Sequence, residues 1–382
     1  MEKTRIILSS IILIVAAALI TLWAVGVFPS GDFPAKTEST AETPTLHYWA
    51  DGESRSAFLA YVADVTDPEN PDFIPETDRL AVFDLDGTLC CEQCPTYLEW
   101  MMYVSRVLDD PDYTPTEEQV ALAGEIITAV RTGIASADLE ARQYQMNEEV
   151  FAGMPVSEYR AYVAKFLQTS ADRFENLLLK DSWYRTTVEA AQYLQKNGFI
   201  VYICSGTDRD TDRVMIADVI GIPYRQVIGS DCYTIGSYQG ELPYLEYQYS
   251  AEDFPVRTAD GIIKNVKSSK PMQIMHELGQ KPVIAFGNST GDASMFMFTT
   301  NDNPYRSIAF CVIPDDGERE TAFPDKTESL TQMCSANGWH TVSMKNDFVT
   351  IYGDDVISVK NFTPWLDRME ELYEAAALPE AA

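Results

Sequence analysis

The sequence predicts an α/β fold built on an open, mostly parallel sheet, with an all-helical insertion and an amino-terminal membrane helix. Short, fully apolar runs alternate with amphipathic helical stretches, which is typical of a parallel sheet buried on both faces. One long segment with a purely helical pattern interrupts this alternation, and a long apolar run opens the chain. Polar or glycine-rich turns follow most of the strands, at the edge where such sheets bind ligands.

The amino terminus predicts a membrane anchor. The apolar run over residues 6–28 is long enough, at ~1.5 Å per residue, to cross a ~30 Å hydrocarbon layer. Its only flanking bases, Lys3 and Arg5, precede it, so the positive-inside rule leaves the amino terminus in the cytoplasm. We therefore expect residues 1–28 to be a cytoplasmic stub and single-pass anchor in the cell membrane, with the folded part outside. Residues 29–45 read as a flexible linker, and a cleaved signal peptide is the alternative to the anchor.

Four apolar runs predict the strands of the sheet, and glycines close three of the helices between them. The predicted strands are residues 80–83, 199–204, 282–286 and 307–313. The predicted helices are residues 54–65, 186–197, 211–220 and 271–278. A Tyr- and Gly-rich segment, residues 231–266, predicts a hairpin or flap. The acidic, alanine-rich residues 370–382 predict a terminal helix that frays.

The insertion begins just after the first strand. Between Cys94 and Lys180 the pattern is helical throughout, with no strand-like run. We interpret residues 94–180 as a helical cap and residues 46–93 and 181–382 as the core. The helical stretches of the insertion are residues 97–108, 117–131, 137–151 and 157–168.

The charge of the chain limits its partners. With 28 Lys and Arg against 58 Asp and Glu, the net charge is -30. Such a chain repels nucleic acid and anionic lipid surfaces. A small phosphorylated substrate stays compatible with it, because a bound cation and one or two local bases can reverse the field inside a pocket.

The cysteines and histidines restrict the chemistry. Seven cysteines are too few and too scattered for a disulfide scaffold or a zinc module. Cys90, Cys91 and Cys94 are the exception, and a local disulfide or buried thiols are favoured there over a redox pair or half a metal site. Three histidines in the whole chain disfavour a histidine triad. Carboxylates therefore have to carry the chemistry.

The strand at residues 80–83 runs into Asp84-x-Asp86-Gly87-Thr88. A carboxylate fixed at the end of a strand can attack phosphorus and form an aspartyl-phosphate. An acid two residues later can protonate the leaving oxygen and then activate water. Gly87 permits the tight turn between them, and Thr88 can hold the transferred group. An ordinary Asp-Gly turn after a strand is the structural alternative.

This motif resembles the first motif of the haloacid dehalogenase superfamily of phosphatases and phosphotransferases. The resemblance implies a Rossmann-like core, Asp84 as nucleophile, Asp86 as general acid/base and Mg²⁺ as cofactor. It also implies that the insertion is a cap that covers the site and selects the substrate, as in the phosphoserine phosphatase-like branch.

Two further motifs of the superfamily have counterparts. The run from residue 203 to 207 resembles the second motif, in which Ser205 and Gly206 would hold the phosphoryl oxygens together with Thr88. The third motif supplies a lysine that neutralises the phosphoryl group. We choose Lys270 over Lys264 and Lys267, since Pro271 follows it at a plausible first helical position, and we expect the other two to be surface bases.

The fourth motif is Gly287-Asn288-Ser289-Thr290-Gly291-Asp292. The resemblance implies Mg²⁺ ligands here, alongside Asp84 and the Asp86 carbonyl. Asn288 stands where the phosphoserine phosphatase branch has aspartate, so either its amide oxygen or Asp292 could be the ligand. Glu92 is a candidate substrate contact, with a solvent-facing glutamate as the alternative.

These observations favour a magnesium-dependent phosphomonoester hydrolase with an aspartyl-phosphate intermediate. A dehalogenase is disfavoured because it does not need Asp86. A phosphotransferase of the same fold stays open. So does a surface-tethered binding module that has lost turnover, for which Asn288 is the only hint.

Overall fold

The structure is a computed structural model that describes residues 46–377. The predicted anchor and linker lie outside this range, as do residues 378–382, so the membrane helix and the cell-membrane location stay predictions. Within the described range, no helix combines the length and the apolar character that a membrane span needs.

Six parallel strands form the central sheet, and two antiparallel pairs lie beside it. In chain order the strands of the described residues are β1 (Leu80–Phe83), β2 (Phe174–Glu175), β3 (Ile200–Asp208), β4 (Val227–Ser230), β5 (Thr234–Gly236), β6 (Pro255–Arg257), β7 (Ile284–Gly287), β8 (Ile308–Ile313), β9 (His340–Ser343) and β10 (Ile357–Ser358). The central sheet has the order β4-β3-β1-β7-β8-β9, while β2 pairs with β10 and β5 with β6. Parallel neighbours need crossover connections, and helices supply them.

Helices pack on the sheet and fill the insertion. In chain order they are α1 (Glu53–Thr66), α2 (Leu98–Leu108), α3 (Glu117–Thr132), α4 (Leu139–Val150), α5 (Val156–Phe166), α6 (Arg185–Lys196), α7 (Arg209–Ile220), α8 (Ser269–Leu278), α9 (Ala293–Thr300), α10 (Pro324–Asn337), α11 (Met344–Asp347) and α12 (Pro364–Ala377). Helices α6 to α10 contact the strands of the central sheet.

The sheet is buried on both faces. Along β1, Ala81 and Phe83 belong to one apolar core and Val82 to the other, because successive side chains of a strand point to opposite faces. Phe83 stacks on Phe286 with 4.5 Å between ring centroids, and Phe286 stacks on Phe310 at 4.9 Å. This aromatic row holds β1, β7 and β8 in register below the edge where the polar motifs lie.

The predicted α/β class with a parallel sheet is confirmed, and β1 has its predicted bounds. β3 runs past its predicted end at Cys204, since Asp208 still pairs with Ser230 of β4. The sequence pattern misses β4 and β9. β4 contains Gly229 and Ser230, and β9 has only Val342 buried, so neither reads as a fully apolar run.

Helices α2 to α5 follow one another between β1 and β2, where the sequence predicts an insertion. Helix α2 contacts both α3 and α4, and its Met101, Tyr103 and Val104 are fully buried. Phe151 and Tyr159 meet edge to face with 5.0 Å between centroids. The four helices therefore share an apolar interior, and the boundaries of a cap at residues 94–180 stay a prediction. The prediction that this insertion is all-helical is wrong, because β2 lies within it and pairs with β10.

Helix α12 packs against α2 and α3. Trp365, Leu366 and Met369 are buried, and Arg131 Nη2 of α3 lies 2.6 Å from Glu370 Oε2. The helix begins at Pro364, earlier than predicted, and its first turns bring an apolar stripe to the insertion. The predicted terminal helix is therefore confirmed over residues 370–377, and its fraying stays a prediction.

Candidate active site

The carboxyl edge of the sheet brings Asp84, Lys270 and Asp292 together. Asp84 follows the last residue of β1, Lys270 lies in the first turn of α8, and Asp292 immediately precedes α9. Lys270 Nζ is 2.6 Å from Asp84 Oδ1 and 2.5 Å from Asp292 Oδ1. All three side chains are buried. One lysine thus joins two carboxylates in an ion-pair network shielded from solvent.

Asp292 also fastens the loop after β7. Its Oδ2 accepts hydrogen bonds from the Asn288 N–H at 3.1 Å, the Ser289 N–H at 3.0 Å and the Ser289 hydroxyl at 2.9 Å. Both carboxylate oxygens of Asp292 therefore have partners within the protein. The side chain of Asn288 points elsewhere, since its Nδ2 donates to Glu92 Oε2 at 3.2 Å.

Gly87 lets the fourth motif approach the first. Its φ is +75°, in the left-handed region that favours glycine. A Cβ atom at this position would lie 1.7 Å from Asn288 Nδ2. The Asn288 carboxamide therefore packs directly on the turn that joins Asp84 to Asp86, and a side chain at position 87 would displace it.

Thr88 contacts the predicted nucleophile itself. Its hydroxyl donates to Asp84 Oδ2 at 3.0 Å, while Lys270 holds Oδ1. The backbone N–H of Asp84 donates to the Phe286 carbonyl at 2.9 Å, which extends the pairing of β1 with β7. The Asp84 carboxylate is therefore fixed at both oxygens and at its own main chain.

Asp86 has a partner that the sequence analysis did not identify. The Thr207 hydroxyl donates to Asp86 Oδ2 at 2.7 Å, and the Thr207 N–H donates to the fully buried Ser205 Oγ at 3.0 Å. Thr207 follows Ser205 by two residues in β3, so the two side chains share one face of the strand. This two-residue spacing could have predicted that Thr207 lies in the site, but only if β3 was expected to continue past Cys204.

Burial raises the pKa of both aspartates. Burial and the charge of Asp292 raise the pKa of Asp84 to about 6, against the opposing effect of Lys270. Burial also raises the pKa of Asp86 to about 7, and the hydrogen bond from Thr207 opposes it. Burial alone would lower the pKa of Lys270, but the charges of Asp292 and Asp84 raise it. Asp86 can therefore exchange a proton near neutral pH while Lys270 stays charged.

Glu92 lies against the fourth motif rather than in solvent. Its Oε2 accepts from Asn288 Nδ2 and from Lys326 Nζ, the latter at 2.6 Å, and its Oε1 accepts from the Tyr97 hydroxyl at 3.2 Å. Cys91 and Cys94 form a disulfide around it. The solvent-facing alternative for Glu92 is therefore wrong, and a local disulfide is the outcome for this cysteine pair.

A buried charge network lies where the insertion, the hairpin and the sheet meet. Arg257 Nη2 of β6 is 2.6 Å from Glu148 Oε2 of α4 and 2.9 Å from Asp208 Oδ2 of β3. The Asp208 N–H donates to Glu99 Oε1 of α2 at 2.6 Å. These residues come from four segments far apart in the chain, so no local motif signals the network.

The two lysines set aside in favour of Lys270 differ in placement. Lys267 is exposed, as predicted. Lys264 is partly buried, with Nζ 3.5 Å from Glu99 Oε2 and 4.2 Å from the centroid of the Tyr144 ring. The prediction of a surface base is wrong for Lys264, because the hairpin folds back onto α2 and α4.

Oxygen atoms of three kinds could hold a divalent cation here. Among residues 46–377, no three His, Cys, Asp or Glu side chains form a metal-binding group. The first and fourth motifs instead offer the Asp84 carboxylate, the Asp86 carbonyl and the amide oxygen of Asn288. Hard oxygen donors of this kind suit Mg²⁺, which binds few carboxylates and keeps several waters. The donor set therefore fits that ion.

Comparison with known families identifies the chain. Residues 79–296 match the model of the haloacid dehalogenase-like hydrolases. The chain belongs to this family. The matched region begins before β1 and ends within α9, so it contains all four predicted motifs and the intervening insertion. No curated protein matches the chain.

Solved structures resemble the chain at low identity. A conserved protein of unknown function from Anaerococcus prevotii DSM 20548 has a TM-score of 0.50 and 13% identity, covering 81% of this chain and 97% of that chain. A protein of unknown function from Bordetella pertussis Tohama I has a TM-score of 0.44 and 14% identity over 69% and 97%. Cytosolic 5'-nucleotidase IIIB bound to cytidine has a TM-score of 0.42 and 12% identity over 86% and 93%. At such identities the likeness concerns the fold alone.

Proposed function

We propose that this hydrolase is a magnesium-dependent phosphatase that cleaves a small phosphorylated substrate through an aspartyl-phosphate on Asp84. The observation that carries the proposal is the buried contact of Lys270 Nζ with Asp84 Oδ1 and Asp292 Oδ1. A carboxylate held by a buried lysine at a strand end is suited to attack phosphorus, since the same cation can neutralise the phosphoryl charge.

Two carboxyl groups divide the reaction. Asp84 attacks phosphorus while Asp86 gives its proton to the departing oxygen. Asp86 then takes a proton from the water that attacks the aspartyl-phosphate, which releases phosphate and restores both groups. A pKa of about 7 suits this double role, and the Thr207 hydroxyl keeps the acid in place.

Two candidate donors for the phosphoryl oxygens, Thr88 and Lys270, contact Asp84. We assign this role to Thr88, Ser205, Gly206 and Lys270, which lie on the β1 and β3 sides of the site and at the start of α8. Ser205 is fully buried. A phosphoryl group bound among these donors exchanges solvent for fixed dipoles before reaction, which favours the charged transition state.

Asn288 is our choice for the direct metal ligand from the fourth motif. Lys270 occupies one oxygen of Asp292, and the loop occupies the other. Asp292 Oδ2 already accepts three hydrogen bonds, whereas the described residues give each oxygen of Asp84 one, which leaves lone pairs for an ion. Asp292 would therefore hold the lysine and the loop, while Asp84, the Asp86 carbonyl and Asn288 would hold Mg²⁺. The bound ion would neutralise charge on the phosphoryl oxygens and on Asp84.

We place the catalytic part outside the cytoplasm, tethered by the predicted helix, and we assign residues 94–180 to a substrate-selecting cap of the phosphoserine phosphatase-like kind. The Cys91–Cys94 disulfide supports the location, because disulfides persist in oxidising compartments. The phosphotransferase and the inactive binding module find no support in the site, so we retain neither.

Phosphate release from an aryl phosphate by the purified full-length chain tests the proposal. We expect hydrolysis that needs Mg²⁺ and is abolished by Asp84→Asn, because the amide cannot attack phosphorus. Asp260→Asn is the matched control, since Asp260 is exposed on the hairpin. Hydrolysis that survives in Asp84→Asn, or that ignores chelation of Mg²⁺, would contradict the proposal.

A further inference from the structure

The side chains of Glu92 and Asn288 meet beside the turn of the first motif, 196 residues apart in the chain. Asn288 Nδ2 lies 3.2 Å from Glu92 Oε2. The Asn288 residue is only 3% exposed, and the Glu92 side chain is 12% exposed. The contact is therefore largely shielded from water.

The chemistry of the two groups fixes the direction of the amide. An ionised carboxylate only accepts hydrogen bonds, whereas a carboxamide donates at one end and accepts at the other. The amino end of Asn288 must therefore face Glu92, and its carbonyl oxygen must face away. Lys326 Nζ lies 2.6 Å from the same Glu92 oxygen, so two N–H donors converge on it.

Glu92 is itself held in place. It lies within the loop closed by the Cys91–Cys94 disulfide, and the Tyr97 hydroxyl donates to its second oxygen at 3.2 Å. Both partners also pack on Gly87, where a Cβ atom would lie 1.7 Å from Asn288 Nδ2 and 3.0 Å from Glu92 Oε2. The pair therefore has little freedom to rearrange.

We propose that Glu92 is a positioning residue, which orients the amide of Asn288 so that its oxygen faces the metal site. This inference rests on the proposed function, because it presumes that Mg²⁺ binds at Asp84. It explains how the neutral amide of Asn288 can act as a metal ligand in the fourth motif. An aspartate at position 288 would face the Glu92 carboxylate, and like charges so close repel each other.

A four-protein titration with Mg²⁺ separates this role from a merely structural one. Calorimetry on the full-length chain would compare wild type, Glu92→Gln, Asn288→Asp and the double variant. In Glu92→Gln, Lys326 donates to the oxygen of the new amide. The amino group of that amide then faces the amino group of Asn288, which disfavours the orientation in which the Asn288 oxygen faces the metal site. We expect Mg²⁺ affinity to fall about 10- to 100-fold, as for other groups that orient metal ligands.

In the Asn288→Asp background, Glu92→Gln should have the opposite effect on Mg²⁺ affinity. There, Glu92→Gln removes the repulsion and supplies a donor to the new carboxylate, so we expect it to strengthen Mg²⁺ binding. A residue that only stabilises the loop would weaken binding in both backgrounds. The sign of the effect in the second background therefore decides between the two roles.

The controls keep the inference distinct from the proposed function. Glu328→Gln changes an exposed glutamate on α10, the helix that carries Lys326, and should leave Mg²⁺ affinity unchanged. Thermal unfolding without Mg²⁺ would show that each variant is folded. If wild type binds no Mg²⁺, the proposed function fails. If wild type binds it and Glu92→Gln changes affinity less than twofold, or weakens it in both backgrounds, the inference is overturned.

Discussion

At the scale of single residues, Asp84 and Asp86 lie two positions apart yet meet different neighbours. Lys270 and Thr88 hold the two oxygens of Asp84, while Thr207 donates to Asp86. Burial raises the pKa of both aspartates. The Lys270 cation opposes this rise at Asp84, and the Thr207 hydroxyl opposes it at Asp86. This difference suits Asp84 to the proposed role of nucleophile and Asp86 to the proposed exchange of a proton.

Thr207→Val should impair the acid/base step. The hydrogen bond from Thr207 lowers the pKa of Asp86, so its loss moves that pKa upward from about 7. A higher pKa keeps Asp86 protonated to higher pH, so the alkaline limb of the kcat profile should move to higher pH. Loss of orientation should also reduce kcat about tenfold, the equivalent of one hydrogen bond.

The matched control is Thr331→Val, which removes an exposed helix hydroxyl that bonds only to the Thr327 carbonyl. Its kcat profile should coincide with that of wild type. An alkaline limb that stays in place or moves to lower pH in Thr207→Val would show that Thr207 does not act on Asp86.

The sequence could identify Asp84, Ser205, Lys270 and Asp292 because each lies in a short local motif. Their contacts depend on parallel strands ending at one edge, which the alternating pattern already implies. Glu92 differs from these residues. Its partners are Asn288 and Lys326, and the residues next to Glu92 in the sequence do not predict either contact.

At the scale of elements, Arg257 joins the hairpin to the sheet and to the insertion. Its guanidinium lies 4.0 Å from the centroid of the Tyr159 ring and pairs with Glu148 and Asp208. Asp208 ends β3, next to the Thr207 that holds Asp86. The network therefore connects the packing of the hairpin, the sheet and the insertion to the position of Asp86, the proposed general acid.

Arg257→Met should destabilise the protein strongly. It leaves two buried carboxylates without their cation, and breaking a buried pair in this way typically costs about 3–5 kcal/mol. Urea unfolding would measure the loss. Arg368→Met is the control, because Arg368 pairs with Asp109 on the exposed face of α12, where ion pairs contribute at most about 1 kcal/mol. Equal losses in the two variants would contradict a stabilising role for the network.

Elements were predictable where a single segment carries the signal. β1 is fully apolar and has its predicted bounds, and α3 begins one residue after Thr116, whose side chain caps it. β9 reads poorly because only one of its four residues is buried. The charge network of Arg257 could not be predicted from the sequence, because it depends on how four distant segments pack together.

At the scale of the whole molecule, the insertion and the sheet form one body with the terminal helix. The Trp365 indole N–H of α12 donates to Ser105 Oγ of α2 at 2.9 Å, and Asp172 accepts from the N–H groups of Trp365 and Leu366. The final segment thus stabilises the insertion. The sequence predicts the terminal helix but not where it starts, because the apolar side chains of Trp365, Leu366 and Met369 lie before residue 370.

The central claim is that a phosphoryl group passes through Asp84. The most direct measurement uses Asp86→Asn, mixed with an aryl phosphate and Mg²⁺, quenched with acid and analysed by peptide mass spectrometry. An aryl leaving group needs no acid, so the aspartyl-phosphate should form, and it should persist because no base activates water. We expect covalent phosphate on the peptide containing Asp84 and none in the variant that also carries Asp84→Asn. The opposite result would be that wild type releases phosphate while the Asp84 peptide of Asp86→Asn carries no covalent phosphate at any quench time. That result would contradict an aspartyl-phosphate on Asp84.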